Sequence, residues 1–187
     1  MTTNKQFLIP DIDNRPFFIL NKNTYHLHYF NENELDKIVA VEERAGQYPW
    51  HKKNFLSSIH SAHQCIALKC DGVLIAHTVI SFSVGEAEVL IFSVDRELQG
   101  RGIGRHFLNS ILRLCERKAD QVFLEVRESN EAAIRLYDNV GFNQIGERPN
   151  YYPSARKNDS KSQRFEQQLS GHKSSARENA LIFAKDL

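Results

Sequence analysis

Near Gly100 the hydrophobic rhythm of the chain changes, and that change limits the fold more than any other feature. Before it, short apolar runs alternate and are joined by tight turns. Residues 25–30 read as a strand, with Tyr25, Leu27 and Tyr29 on one face and His26 and His28 on the other. Residues 64–69 and 73–83 flank Asp71-Gly72, a strong hairpin signal, and 87–94 follow the next turn at Gly85. After Gly100 strands and helices alternate. Residues 102–118 carry Ile103, Phe107, Leu108, Ile111, Leu112, Leu114 and Cys115 on one helical face. A short strand over 121–126 leads to a helix over 130–140, stopped by Gly141, and 142–147 and 179–184 read as closing strands. Two earlier helices are expected at 32–45, with Asn31 or Asn33 as its cap, and at 51–61. Hairpins make antiparallel pairs and a strand–helix–strand run makes a parallel one. The fold class is therefore α/β, with a mixed, mostly antiparallel sheet flanked by helices.

A length of 187 residues suits one domain, here 24–187, preceded by a proline-bearing extension over 1–23. Phe17, Phe18, Ile19 and Leu20 of that extension are apolar enough to dock on the body. Residues 154–177 are polar, with six Lys or Arg against two Asp or Glu, and read as a surface insertion. Over the whole chain 24 Lys and Arg face 23 Asp and Glu, which gives no electrostatic case for direct nucleic-acid or membrane binding. No apolar run approaches the roughly 18 residues of a spanning helix. The N-terminus lacks the order of a secretion signal, and three cysteines without a metal spacing suit the reducing cytoplasm.

Gln99-Gly100-Arg101-Gly102-Ile103-Gly104 lies between a strand and an amphipathic helix. Glycines let backbone approach a ligand, and free N–H groups at a helix start attract anions. Arg101 and Arg105 add positive charge. A diphosphate cradle and a plain glycine-rich turn both fit this pattern taken alone. The Gly-Lys-Ser/Thr ending of a P-loop is missing. A dinucleotide fold fits poorly, because the glycines are spaced G-x-G-x-G and the preceding strands are joined by hairpins.

The strand Ile91-Phe92-Ser93-Val94-Asp95 followed by Gln99-x-x-Gly102-x-Gly104 resembles the coenzyme A signature of the GNAT acetyltransferases. The resemblance continues through Leu124-Glu125-Val126-Arg127-Glu128-Ser129-Asn130, Ala133-Ile134-Arg135-Leu136-Tyr137 and Gly141-Phe142. Glu42-Glu43-Arg44-Ala45, Tyr48-Pro49-Trp50 and Arg148-Pro149-Asn150-Tyr151-Tyr152-Pro153 make it similar to the bacterial ribosomal-protein-alanine N-acetyltransferases, the Rim type. It covers roughly residues 24–153 and 178–187. The extension and the insertion after Pro153 depart from the family pattern.

This resemblance implies a GNAT fold whose central strands, 87–94 and 121–126, splay to admit acetyl-CoA. It implies that Phe92, Ser93 and Val94 offer backbone N–H groups to the pantetheine and the acetyl carbonyl. It further implies that Gln99, Gly100, Arg101, Gly102, Ile103, Gly104 and Arg105 hold the diphosphate and that Asn130 contacts the coenzyme. Glu125 becomes the general base and Tyr137 the general acid, against the plainer readings of a solvated carboxylate and a core aromatic. Tyr151 and Tyr152 either line the acceptor channel or are structural aromatics. The implied acceptor is a protein N-terminus, an N-terminal alanine of a small-subunit ribosomal protein. Independently, an α-amine with pKa near 8 is roughly one-tenth neutral at pH 7, whereas lysine is less than about one-thousandth neutral. That difference, roughly 3 kcal/mol, favours an α-amine. A small amine or a lysine remains an alternative acceptor, and a non-catalytic acyl-CoA-binding module a third reading. Transfer through a cysteine is rejected, since Cys115 lies on the apolar helix face and Cys65 and Cys70 have no recognisable triad. His60 and His63 alone do not make a metal site, and none is expected.

Overall fold

The computed structural model describes residues 12, 16–46, 48–153 and 177–187. The strands are β1 Pro16–Leu20, β2 Asn23–Tyr29, β3 Gln64–Cys70, β4 Val73–Ser83, β5 Gly85–Val94, β6 Ala119–Arg127, β7 Asn143–Pro153 and β8 Arg177–Asp186. The helices are α1 Leu35–Ala45, α2 Lys52–His60, α3 Ile103–Cys115 and α4 Glu131–Val140. One eight-stranded sheet runs in the order β1-β2-β3-β4-β5-β6-β8-β7. Among the described residues only β5 and β6 pair in parallel, with α3 crossing between them.

The sheet is covered on both faces. Beneath α3 and α4 lies a core with Leu27, Ile66, Leu68, Val122, Leu124, Phe107, Ile111 and Phe183. Beneath α1 and α2 lies a second, with Phe30, Leu35, Ile38, Phe55, Cys65, Ala67 and Val79. Double cover explains why Gln64 to Leu68 of β3 are all buried instead of alternating. Asp71 (φ 49°) and Gly72 (φ 78°) make the β3–β4 turn left-handed, as the hairpin reading requires.

Three elements differ from the sequence expectations. Residues 16–20, placed in the extension, form β1 and pair with β2 through a left-handed turn at Asn21 and Lys22. Lysine is a poor signal for such a turn, and the strand is held by packing of Phe17, Phe18 and Leu20 on the core. The first helix begins as a single 3₁₀ turn over Glu32–Glu34, capped by Asn31 Oδ1 accepting the Asn33 N–H at 2.9 Å. β7 runs past residue 147 to Pro153, with a bulge: Arg148 pairs with Ala180 and Tyr152 with Glu178, so residues 149–151 bow out opposite Asn179. Asn150 sits there at φ 53°, its N–H donated to Asn179 Oδ1 at 3.0 Å. The basic insertion expected at 154–177 lies outside the described residues, apart from Arg177 in β8. Among the described residues no helix is long and apolar enough to cross a membrane.

Candidate active site

The parallel ladder between β5 and β6 ends early. It runs from Gly85 opposite Ala119 to Val89 opposite Leu124, then stops, although both strands continue. β5 carries a bulge at this point: Val79 pairs with Ile91 and Ile80 with Val89, leaving Leu90 extra. A bulge bends and twists its strand, so it turns β5 away from β6. From Leu90 to Val94 the β5 edge facing β6 has no strand partner among the described residues. Phe92, Ser93 and Val94 lie on this open edge, and β6 turns instead to β8, with Glu125 opposite Ile182.

The glycine loop closes one end of the cleft. Asp95 starts a 3₁₀ turn and is gripped by Arg44, whose Nε and Nη2 donate to Asp95 Oδ2 at 2.8 and 2.6 Å. Gln99 donates its side-chain amide to the carbonyls of Val94 and Ala45, at 2.9 and 3.1 Å, and so fixes the loop against α1. Gly100 (φ 73°) and Gly102 (φ 82°) are both left-handed. α3 starts directly after Gly102, with no capping side chain and no acid in its first turn. The N–H groups of Ile103, Gly104 and Arg105 therefore have no acceptor within the helix, and Arg101 and Arg105 are exposed beside them. This is the arrangement that a diphosphate requires. Gly104 faces the Leu136, Val94 and Phe92 side chains, so α3 approaches β5 and α4 closely there. Asn130 caps α4, its Oδ1 accepting the Ala133 N–H at 3.2 Å.

At the other end, Glu125 stands just beyond the last β5–β6 pair, largely buried. Its Oε1 is 2.6 Å from Arg148 Nε, and the Arg148 guanidinium faces the Tyr151 ring at 5.5 Å. Tyr137 of α4 is buried against Phe142 and Phe183, at 5.9 and 6.2 Å between ring centres. Burial pushes its phenol well above the usual value, and nearby Tyr152 adds to the shift. Burial likewise pushes Tyr152 up to about 12, with the Glu125 charge contributing. Glu125, Tyr137 and Tyr152 thus form one neighbourhood drawn from β6, α4 and β7. Cys65 and Cys115 are buried, which pushes both thiols up to about 12 and leaves them protonated at neutral pH. His60 Nε2 is 2.8 Å from Glu32, and among the described residues no three His, Cys, Asp or Glu side chains gather as metal ligands.

Two groups that the sequence reading left without a role also bound the cleft. The Arg127 guanidinium lies between the rings of Tyr48 and Tyr152, 3.6 and 4.3 Å from their centres. Its Nη1 donates to Glu178 Oε1 and the Pro153 carbonyl, each at 2.8 Å. Each such cation–aromatic contact is worth about 0.5–2 kcal/mol, so this stack holds the α1–α2 loop to the end of β7. The second group is Glu42, buried under the sheet. Its Oε1 accepts the Trp50 N–H at 3.0 Å and its Oε2 the Ser93 hydroxyl at 2.6 Å. His77 Nε2 lies 3.2 Å from Oε2. Arg127 and Glu42 both belong to stretches that carried the family resemblance, but periodicity gives no sign of their partners.

Burial pushes the Glu42 carboxyl up, but His77, the Ser93 hydroxyl and the Trp50 N–H outweigh it and hold it below the usual carboxylate value. Glu178 is likewise lowered, by Ser129 and Arg127 against burial. A carboxyl with a depressed folded-state pKa adds stability above its unfolded pKa and loses it as pH falls through the folded one. Tm is therefore expected to hold above about pH 5 and fall below it, with a shallower acid limb in Glu178→Gln. Thermal scans from pH 7 to 3 check this; an acid limb in the variant as steep as in the wild type would remove Glu178 from the account.

A sequence profile of the acetyltransferase (GNAT) family matches residues 22–142. A ribosomal protein bS18-alanine N-acetyltransferase of Salmonella typhimurium is 36% identical over 117 residues, 62% of this chain and 79% of that protein. An N-alpha-acetyltransferase of Mycobacterium tuberculosis is 37% identical over 113 residues, 57% of this chain and 70% of that protein. The crystal structure of the ribosomal-protein-S18-alanine N-acetyltransferase from Escherichia coli superposes with a TM-score of 0.71. It is 29% identical and covers 87% of this chain and 93% of that one. The profile match spans the open β5 edge, the glycine loop, Glu125 and Tyr137, and with these relatives it establishes that the chain belongs to the GNAT family of acetyltransferases.

Proposed function

We propose that this chain moves an acetyl group from acetyl-CoA to the α-amine of a protein N-terminus, an N-terminal alanine of a small-subunit ribosomal protein. The observation that carries the reading is the early end of the β5–β6 ladder. It leaves a backbone edge with no strand partner among the described residues, between an uncapped helix start on one side and a carboxylate with two tyrosines on the other. The residues fit acetyl-CoA: first-turn N–H groups of α3 for the diphosphate, and the Phe92–Val94 backbone for the pantetheine and the acetyl oxygen. Acetyl-CoA supplies a thioester carbonyl open to attack by an amine.

Glu125 takes the proton of the attacking amine, directly or through one water, which suits an acceptor that is already partly neutral at pH 7. The β5 N–H groups are fixed before charge develops on the acetyl oxygen and cost no reorganisation when it does. Tyr137 is the proton donor in this reading, serving the departing thiolate. Its raised pKa keeps it protonated throughout the working range, so it always has a proton to offer. Tyr151 and Tyr152, with Tyr48 across the Arg127 stack, line the approach of the acceptor. The names of the relatives support the alanine acceptor and the ribosomal partner.

The test is a pair of short peptides incubated with enzyme and acetyl-CoA and read by mass spectrometry. A peptide with a free N-terminal alanine is expected to gain one acetyl group at its α-amine. A peptide blocked there but carrying an internal lysine is expected to stay unmodified. Efficient labelling of the lysine would overturn the α-amine assignment. Tyr137→Phe is expected to slow turnover by about tenfold or more while sparing coenzyme affinity. Its deficit should shrink with a more acidic leaving thiol; a deficit constant across leaving groups would make Tyr137 a packing residue.

A further inference from the structure

Glu42 is a buried acid with two oxygens and two different jobs. Oε1 holds the Trp50 N–H at 3.0 Å, in the loop between α1 and α2. Oε2 holds the Ser93 hydroxyl at 2.6 Å, on the part of β5 that has no β6 partner. The loop belongs to the acceptor side, because its Tyr48 stacks on Arg127 and through it on Tyr152 of β7. The strand belongs to the donor side. Two other side chains among the described residues, Arg44 and Gln99, tie the end of α1 to the glycine loop, but neither holds the loop at Trp50.

A nucleophilic role for Ser93 does not fit the geometry. Its hydroxyl donates to Glu42, whereas His77, opposite Ser93 across β4 and β5, reaches only the same carboxylate oxygen. His77 is fully buried, edge-on to Phe55 and Phe30 at 5.3 and 6.4 Å between ring centres, so a packed ring lies against Glu42. The arrangement fixes positions instead of activating a nucleophile.

We propose that Glu42 is a positioning residue that couples the two substrate sides. Coenzyme seated on the β5 edge shifts or stiffens Ser93, and Glu42 passes that to the Trp50 loop, which sets the wall that the acceptor meets. The inference rests on the acetyl-CoA reading of the cleft. It assigns a coupling between sites, which must act equally in both directions.

The chain contains a single tryptophan, Trp50, so fluorescence excited selectively in tryptophan reports on this loop alone. Binding of coenzyme A to the wild type is followed by calorimetry, and Trp50 emission is read in the same titration. The expected result is an emission change that saturates with the heat. Glu42→Gln keeps the side-chain size, but its one amide oxygen cannot accept from both walls in the same way and its NH₂ is a donor. That variant is expected to bind coenzyme A within about threefold of the wild type, to lose the emission change and to raise the acceptor-peptide KM by about tenfold. A merely structural role would lower Tm in the variant and leave the coenzyme-induced emission change in place, which would overturn the proposal. Should Glu42→Gln not fold, Ser93→Ala removes only the hydroxyl and is expected to silence Trp50 as well; a retained response there would overturn the proposal too. Heat of binding in the wild type with silent Trp50 emission refutes the coupling alone. Absence of any heat refutes the acetyl-CoA reading, and the coupling with it.

Discussion

Glu125→Gln is expected to lower turnover by about 10²-fold or more near neutral pH, while acetyl-CoA affinity stays within about threefold of the wild type. The loss of a proton acceptor accounts for that factor; loss of the ion pair to Arg148 does not. Arg148 is more than half exposed, and exposed ion pairs contribute about 0–1 kcal/mol. A hundredfold slower reaction corresponds to about 2.7 kcal/mol. Substituting Arg148 by Met separates the two effects, since it removes the pair and leaves the carboxylate. The Glu125→Gln deficit should narrow as pH rises, because the acceptor amine then loses its proton without help. Initial rates between pH 6 and 9 at saturating acetyl-CoA measure this. Wild-type turnover in the variant across pH 6 to 8 would mean that Glu125 is not the base.

Gly102→Val is expected to weaken coenzyme binding by tenfold or more. No heavy atom lies within 4 Å of where a Cβ at this position would sit, so the fold has room for the added atoms. The obstacle is the backbone. At φ 82° a β-branched residue is strained by about 1–2 kcal/mol, and relief of that strain would swing the first N–H groups of α3 away from the diphosphate. Gly104→Ala makes the complementary probe. Its Cβ would meet Leu136 at 3.6 Å and Val94 at 3.7 Å, ordinary contact distances, and the position is helical, so the fold should hold. Affinity lost in Gly104→Ala then reports the close seating of α3 on β5 and α4, whereas affinity lost in Gly102→Val reports the shape of the loop. Thermal protection by coenzyme A, which grows with the logarithm of its concentration, reads both. Undiminished protection in Gly102→Val would show that the loop does not hold the coenzyme.

The order of helices and strands was legible in the chain because those signals are local. Asp71-Gly72 needs only its own two residues to turn, Asn130 caps α4 through a residue three positions on, and Gly141 stops α4 at φ 92°. The glycine loop was legible for the same reason. The site was legible only in part. Glu125 and Tyr137 stood out through the resemblance of their surrounding stretches, whereas the alternation of β6 or the helical spacing of α4 would have left both as ordinary residues. Residues 16–20 escaped because their strand depends on packing and pairing with β2, and the Asn21-Lys22 turn carries little signal of its own.

What the tertiary structure alone decided is which distant groups meet. Glu42 reaches Ser93, Arg44 reaches Asp95 and Arg127 reaches Glu178, each across 51 positions of chain. No spacing rule links such residues, since their contact depends on strand order and register. The end of the β5–β6 ladder at Val89 and Leu124 is of the same kind: both strands continue, β5 with Leu90, Ile91 and Phe92 and β6 with Glu125, Val126 and Arg127, and nothing local in either marks the break. The chain itself determined the elements, the glycine-rich turn before α3 and the titratable residues proposed to move a proton. Tertiary structure decided where the sheet opens and how a buried carboxylate joins its two sides, because both follow from the non-local pairing of β4, β5, β6 and β8.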